Sequence, residues 1–197
     1  MKKILATIMS IMMIVVLAIP AYAYNTYNDH VLIGGVGKTL LPRHYYIASS
    51  ANNFSSYIAG GVDYWNNTAS NPGVDTPVNF ASTPFSTLST VQLSAEEGAS
   101  STVLASTSFL NLFNVPVSAN SNNWTSARIT IYSNVFDSPG RTAAVKKAVI
   151  CHEFGHAFGL AHSNSTPSSI MCQLKYGRTA TRPSIDDCNG INHLYPF

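Results

Sequence analysis

The run His152-Glu153-Phe154-Gly155-His156-Ala157-Phe158-Gly159-Leu160-Ala161-His162 constrains this chain more than any other feature. Helical residues four apart stand on one face, so His152 and His156 can aim both imidazoles at a single ion. Glu153 lies one step round the same helix, where its carboxylate reaches a water at that ion without serving as a ligand. Gly159 tolerates the left-handed backbone that ends a helix, which lets the chain double back and bring His162 in as a third ligand. Three neutral imidazoles with a fourth position left open are the arrangement of a catalytic zinc rather than a structural one. Two histidines at this spacing arise often by chance, but with Gly159 and His162 added an accidental match falls to about one in a hundred thousand chains. The chemistry implied is hydrolysis.

The N-terminus has the parts of a secretory signal peptide: Lys2 and Lys3, an apolar run through Ile19, Pro20, and then Ala21-Tyr22-Ala23. The apolar run is shorter than the roughly 20 residues a membrane-spanning helix needs, and the small-residue site follows at once, so cleavage is expected after Ala23. No later segment is apolar enough to span a bilayer, and the mature protein is expected to be secreted, extracellular and free of the membrane. Residues 24–197 suffice for one domain with a real core and are too few for two. The chain carries 11 Lys and Arg against 9 Asp and Glu, and loss of Lys2 and Lys3 with the leader brings that balance to neutrality. No basic patch interleaved with aromatics remains, which disfavours a nucleic-acid partner. Lys146-Lys147 reads as a solvated helix face.

Along the chain, Tyr45 to Ala48 has strand composition, and Asn52 to Trp65 carries Phe54, Tyr57, Ile58, Val62 and Trp65 at the spacings of an amphipathic helix, weakened by Gly60 and Gly61. The Asn-, Ser- and Thr-rich stretch from Asn66 to Asn123 reads as loops and short strands at Val78 to Phe80, Thr90 to Leu93 and Ser101 to Leu112. Ala127 to Phe136 alternates like a strand. After the turn Asp137-Ser138-Pro139-Gly140, Thr142 is the expected N-cap of a helix that carries the histidines to about Phe158.

The long zinc motif, with Met171 following in Ser169-Ile170-Met171, resembles that of the metzincin zinc endopeptidases. Within them the chain is most similar to the matrixins, because Ser184-Ile185-Asp186-Asp187-Cys188-Asn189-Gly190-Ile191-Asn192-His193-Leu194-Tyr195 matches their C-terminal helix signature. The resemblance implies an α+β, zincin-like catalytic domain over 24–197: a twisted mixed sheet, an active-site helix, a C-terminal helix, and a cleft between an upper half and the chain after Gly159. It implies one catalytic Zn2+ on His152, His156 and His162, with Glu153 as general base and then acid. Met171 would pack beneath the imidazoles as an apolar floor, and Tyr176 would form the wall of the pocket for the side chain just past the scissile bond. Matrixins place Pro-x-Tyr after the methionine, whereas this chain has Cys172-Gln173-Leu174-Lys175-Tyr176. Gln173 stands where serralysins and astacins carry a tyrosine that approaches the metal, so no tyrosine ligand is expected. No histidine lies between His44 and His152, which leaves no cluster for a second zinc, and no cysteine precedes Cys151 to act as an inhibitory switch. Calcium (Ca2+) bound through loop carbonyls stays open, although the sparse carboxylates form no recognisable loop. His30, His44 and His193 have no motif around them.

Cys151, Cys172 and Cys188 are bound for an oxidising compartment, where one pair could bridge and one thiol be left over. Cys172 and Cys188 lie on elements that pack near each other in matrixins, which favours that disulfide; Cys151 with Cys188 is the alternative. The expected function is that of a secreted, monomeric zinc endopeptidase acting on an extended peptide or protein substrate. Two alternatives are a non-catalytic secreted zinc-binding domain, in which Glu153 would have no role, and a peptidase acting on cell-wall peptide cross-links. With no switch cysteine, activity is expected directly from Tyr24; a short prosegment within 24–42 offering Asp29 or His30 to the zinc is the competing reading.

Overall fold

The computed structural model describes residues 24–38 and 41–197; the expected signal peptide, residues 1–23, lies outside them. Six strands form one sheet: β1 (Arg43–Ile47), β2 (Phe80–Ser82), β3 (Val91–Glu96), β4 (Ala105–Leu110), β5 (Pro116–Val117) and β6 (Ser126–Tyr132), in the order β2-β1-β3-β6-β4-β5. In β6, Ala127, Ile129 and Ile131 are fully buried while Arg128 is exposed, the period of two that follows when one face of a strand is covered. Val91 and Leu93 of β3 extend the buried row, with Leu93 registered against Ile129. β2, β1, β3 and β6 run parallel to one another, while β4 runs antiparallel to both β6 and β5. This mixed sheet with packed helices is the α+β architecture expected. β5 pairs only with Phe109 and Leu110, so Ala105 to Ser108 have no named strand on their outer side.

Parallel neighbours require a crossover, and the one between β1 and β2 carries the first helix, Ser55–Asn66. The amphipathic pattern expected from Asn52 begins instead as a 3-10 turn, Ser49–Phe54. Gly60 and Gly61, which weaken a helix by about 1 kcal/mol each relative to alanine, sit where this helix crosses the histidine-bearing one. A Cβ on Gly61 would lie 2.8 Å from Cβ of Ile150 and 2.9 Å from the Lys147 carbonyl. The absence of side chains lets the two backbones approach.

The histidine-bearing helix spans Ala143–Ala157, capped as expected by Thr142, whose hydroxyl accepts the Val145 N–H at 3.3 Å. It packs against the first helix, β4 and β6, and every residue from Ala148 to Ala157 is buried. Lys146 departs from the solvated face expected of it. It is 7% exposed, its ammonium pairs with Asp137 and lies 5.0 Å from the Tyr57 ring centroid, so the aliphatic stem is packed while the charge is satisfied. The strand expected to reach Phe136 stops at Tyr132, and Ser133–Phe136 forms a helical turn that buries Val135 and Phe136.

The helix ends in a Schellman arrangement. Gly159 is left-handed (φ 109°), its N–H donates to His156 O at 2.9 Å, and Leu160 N–H donates to Gly155 O at 2.9 Å. The C-terminal helix, Ile185–Leu194, opens on a reciprocal capping box between Ser184 and Asp187.

Candidate active site

The Schellman turn does what Gly159 implied and returns the chain so that His162 faces the helix. Nε2 of His156 lies 3.1 Å from Nε2 of His152 and 3.1 Å from Nε2 of His162, and the three form the one metal-capable cluster among the described residues. Tetrahedral zinc with bonds of about 2.0–2.1 Å places neighbouring nitrogens about 3.3 Å apart, so the spacing fits. The opposite ring nitrogens of the two helical ligands are engaged: His152 Nδ1–H donates to Ile170 O at 2.7 Å and His156 Nδ1–H to Leu160 O at 2.8 Å. Carbonyl acceptors fix the proton on Nδ1 and leave Nε2 with its lone pair for a metal. Burial, reinforced by the neighbouring rings, holds His152 well below its ordinary range and His156 at about 3, and burial lowers His162. The rings are neutral, as ligation requires, and an all-nitrogen donor set of this size suits zinc.

Glu153 is 6% exposed. Its Oε2 accepts the Thr107 hydroxyl at 2.7 Å, and that hydroxyl also lies 3.1 Å from the Glu153 carbonyl. Burial pushes the carboxyl up to about 7, while the Thr107 bond and the charge of Arg178 oppose the shift. A carboxyl poised near neutrality suits a group that must both take and return a proton. Thr107 sits on β4, so the edge of the sheet orients the catalytic carboxylate.

Behind the histidines the methionine turn is anchored by a buried carboxylate. Asp187 accepts from Ser169 Oγ at 2.5 Å, Ile170 N–H at 2.9 Å and Ser184 N–H at 2.7 Å, which ties the turn to the C-terminal helix. The Ile170 carbonyl that receives His152 also accepts from Arg178 Nη1 at 3.2 Å. Met171 is 1% exposed, and its sulfur crowds the place a Cβ would take on Gly155. Beside Glu153 lies a cavity of about 170 Å³, lined among others by Val103, Leu104, Val149, Leu174 and Arg178. Tyr176, expected in its wall, does not line it. It stands 52% exposed at the end of a 3-10 turn, under the Lys175 ammonium, and Leu174 and Lys175 take the wall positions.

The cysteines also differ from expectation. All three are buried and free, so the Cys172–Cys188 bridge is not formed. The Cys172 thiol is turned toward the carbonyls of Gln173 (3.5 Å) and Tyr176 (3.8 Å) within its own loop. Burial and the charge of Asp187 push Cys188 up to about 12, which makes it an unreactive packed thiol. Neither Asp29 nor His30 approaches the imidazoles: Asp29 pairs with Thr26 and His193, and His30 faces Asn123.

Motif reading located the ligands and the base but missed their supports. Thr107 and Tyr27, whose hydroxyl lies 3.0 Å from His156 Nδ1, stand in stretches with no motif. Trp65 and Trp124, which donate to Cys151 O at 2.8 Å and Ala157 O at 3.0 Å, signalled only burial. Asp187 belonged to the C-terminal signature and could have been found there.

The matrixin family model, a peptidase M10 family, matches residues 74–196. Among solved structures, a crystal structure of myroilysin is 14% identical, over 91% of this chain and 97% of that one, with a TM-score of 0.50. The GM1-bound form of the ECX AB5 holotoxin contains a chain 17% identical, over 85% of this chain and 89% of its own, with a TM-score of 0.46. The likeness to myroilysin is one of fold. A search of curated proteins finds no match.

Proposed function

Because the chain belongs to the matrixin family and is a zinc-dependent endopeptidase with Glu153 as its catalytic carboxylate, we propose that it works outside the cell as a monomer on extended peptide segments. Residues 1–23 would be removed as a signal peptide and 24–197 would form the catalytic domain. Among the described residues no helix is long and apolar enough to cross a membrane. The observation that carries the substrate reading is the placing of Glu153 between the uncovered stretch of β4, through Thr107, and the 170 Å³ cavity.

Bound zinc would polarise the scissile carbonyl and lower the pKa of water at the site. The chain's own residues do the rest. Ala105 to Ser108 offer backbone hydrogen bonds to a peptide laid alongside as a further strand. Glu153 takes the proton from the attacking water and passes it to the leaving amine, while Thr107 holds the carboxylate in place. Met171 serves as a floor under the ligand helix, and the cavity takes the side chain that follows the scissile bond.

The test is cleavage profiling of the secreted form with an unbiased peptide mixture, with and without chelator, together with its N-terminal sequence. Chelator-sensitive internal cleavage by a form starting at Tyr24 supports the reading. Cleavage confined to cell-wall cross-linking peptides would transfer the substrate to that class, and zinc binding without cleavage would leave only a binding domain.

A further inference from the structure

We infer that the segment Tyr24 to His30 is a strap that holds the zinc site in register, with Tyr27 as a positioning residue for His156 and Asn25 for the His162 loop. The segment lies along the chain that returns from the ligand helix. Thr26 forms an antiparallel bridge with Leu160, Tyr27 N–H donates to Gly159 O at 3.1 Å, and Ala161 N–H donates to Asn25 O at 2.8 Å. The Asn25 side chain adds a bond from Nδ2 to the carbonyl of His162 itself at 2.8 Å. Residues 159 to 162, which set where the third ligand stands, thus take much of their backbone pairing from a segment far away in sequence.

Tyr27 reaches the second ligand directly. Its hydroxyl oxygen is 3.0 Å from His156 Nδ1, which also donates to Leu160 O. A metal on Nε2 requires the proton on Nδ1, so in the loaded site Nδ1–H is shared between two acceptors, the Leu160 carbonyl and the Tyr27 oxygen. The ring of Tyr27 is itself fixed, meeting Phe109 of β4 edge-on at 5.3 Å and Trp124 edge-on at 6.4 Å. Trp124 donates to the Ala157 carbonyl at the end of the ligand helix, so strap, sheet and helix end converge on one imidazole.

The contact has a distinguishing consequence. A dication on Nε2 withdraws electron density from the ring and makes Nδ1–H a stronger donor, so the Tyr27 bond is worth more with metal bound than without it. A merely structural tyrosine would stabilise both forms alike. On this inference the segment stays with the mature enzyme rather than leaving as a prosegment.

The experiment compares zinc affinity of the 24–197 chain with that of Tyr27→Phe, which keeps the ring and removes one oxygen, by competition against a chromophoric chelator. The expected result is about 10-fold to 100-fold weaker zinc binding, an altered visible spectrum of the cobalt-substituted site, and a loss of stability in excess chelator smaller than the loss in zinc-binding free energy. Asn25→Ala should weaken zinc binding less and raise the rate of zinc loss. Zinc affinity within twofold of the parent and an unchanged cobalt spectrum for Tyr27→Phe would overturn the inference. So would a variant whose whole loss of affinity is matched by an equal loss of stability in chelator. These readouts do not depend on peptide cleavage, so they stand apart from the choice of substrate.

Discussion

The chain from Thr142 onward and the chain before it contribute to the active site in opposite ways. The later part supplies every group that performs chemistry, with His152, Glu153, His156 and His162 on one helix and the turn that follows. The earlier part supplies none of these and much of their orientation: Thr107 on the carboxylate, Tyr27 on one imidazole, Trp65 and Trp124 on helix carbonyls, Asn25 on the returning loop. Reactive groups are encoded locally because a single helical turn sets their spacing. Their aim is encoded at a distance because a buried polar group needs a partner, and the partner can come from any strand or segment that packs there.

The largest effects should come from within the later part. His162→Ala should lose zinc, as read by metal analysis after dialysis, and activity with it. Glu153→Gln should keep zinc at the parent's stoichiometry while kcat/KM falls by about 10²–10⁴-fold. Equal metal loss in both variants would erase the division between ligand and proton carrier.

Asp187→Ala tests whether the tie between the methionine turn and the C-terminal helix bears on folding. It leaves Ser169 Oγ, Ile170 N–H and Ser184 N–H without their acceptor, at about 1–3 kcal/mol for each group stranded, so chemical denaturation should show a loss of about 3 kcal/mol or more. A loss below about 1 kcal/mol would mean that other partners take over.

Thr107→Val probes the earlier part at its closest approach to the chemistry. The Thr107 bond favours the ionised carboxylate, so its removal should raise the Glu153 pKa, move the acid limb of the pH–rate profile to higher pH, and lower kcat/KM by about tenfold, about 1.4 kcal/mol. An unmoved acid limb would assign Thr107 to packing alone.

In excess chelator, pH separates ligands from base. His156 sits at about 3 against an ordinary 6.5, so the unfolded chain binds more protons there and stability is lost as pH falls below about 6.5. Glu153 sits at about 7 against an ordinary 4.5, so its contribution runs the other way and is lost as pH rises through about 7. Metal-free Glu153→Gln should therefore outlast the parent in thermal melts at pH 8, with the advantage shrinking toward pH 4.5. An advantage independent of pH would show that the carboxyl is solvated.

The smallest effect is a count. Thiol titration of the unfolded, unreduced protein should find three reactive groups, because Cys172 is turned into its own loop. A single reactive group would mean that one bridge forms, between Cys188 and either Cys172 or Cys151.

Where the sequence misread local structure, a neighbour outside the window explains the miss. Gly60 and Gly61 argued against the first helix on propensity, yet they are the positions at which it crosses Ile150 and Lys147. Lys146 read as solvated because its charge was visible and Asp137, Tyr57 and Phe136 around it were not. Tyr176 was placed in the pocket wall by analogy with a Pro-x-Tyr that this chain lacks, and the left-handed Gly177 ends the turn with the tyrosine facing outward. Elements whose cues lie within one or two turns read correctly: the Thr142 cap, the helix stop at Gly159 and the alternation of β6.

By itself the sequence determined which atoms could hold a metal and which carboxylate could move a proton, because helical spacing, one left-handed glycine and the chemistry of imidazole leave few other outcomes. Only the tertiary structure decided which tautomer His152 and His156 adopt, how far Glu153 is driven toward neutrality, and that the Tyr27 hydroxyl reaches His156. Those properties depend on burial and on the hydrogen bonds that His152 and His156 donate to the Ile170 and Leu160 carbonyls, that Thr107 donates to Glu153, and that join Tyr27 to His156, and the partners distant in sequence meet only once the chain has folded.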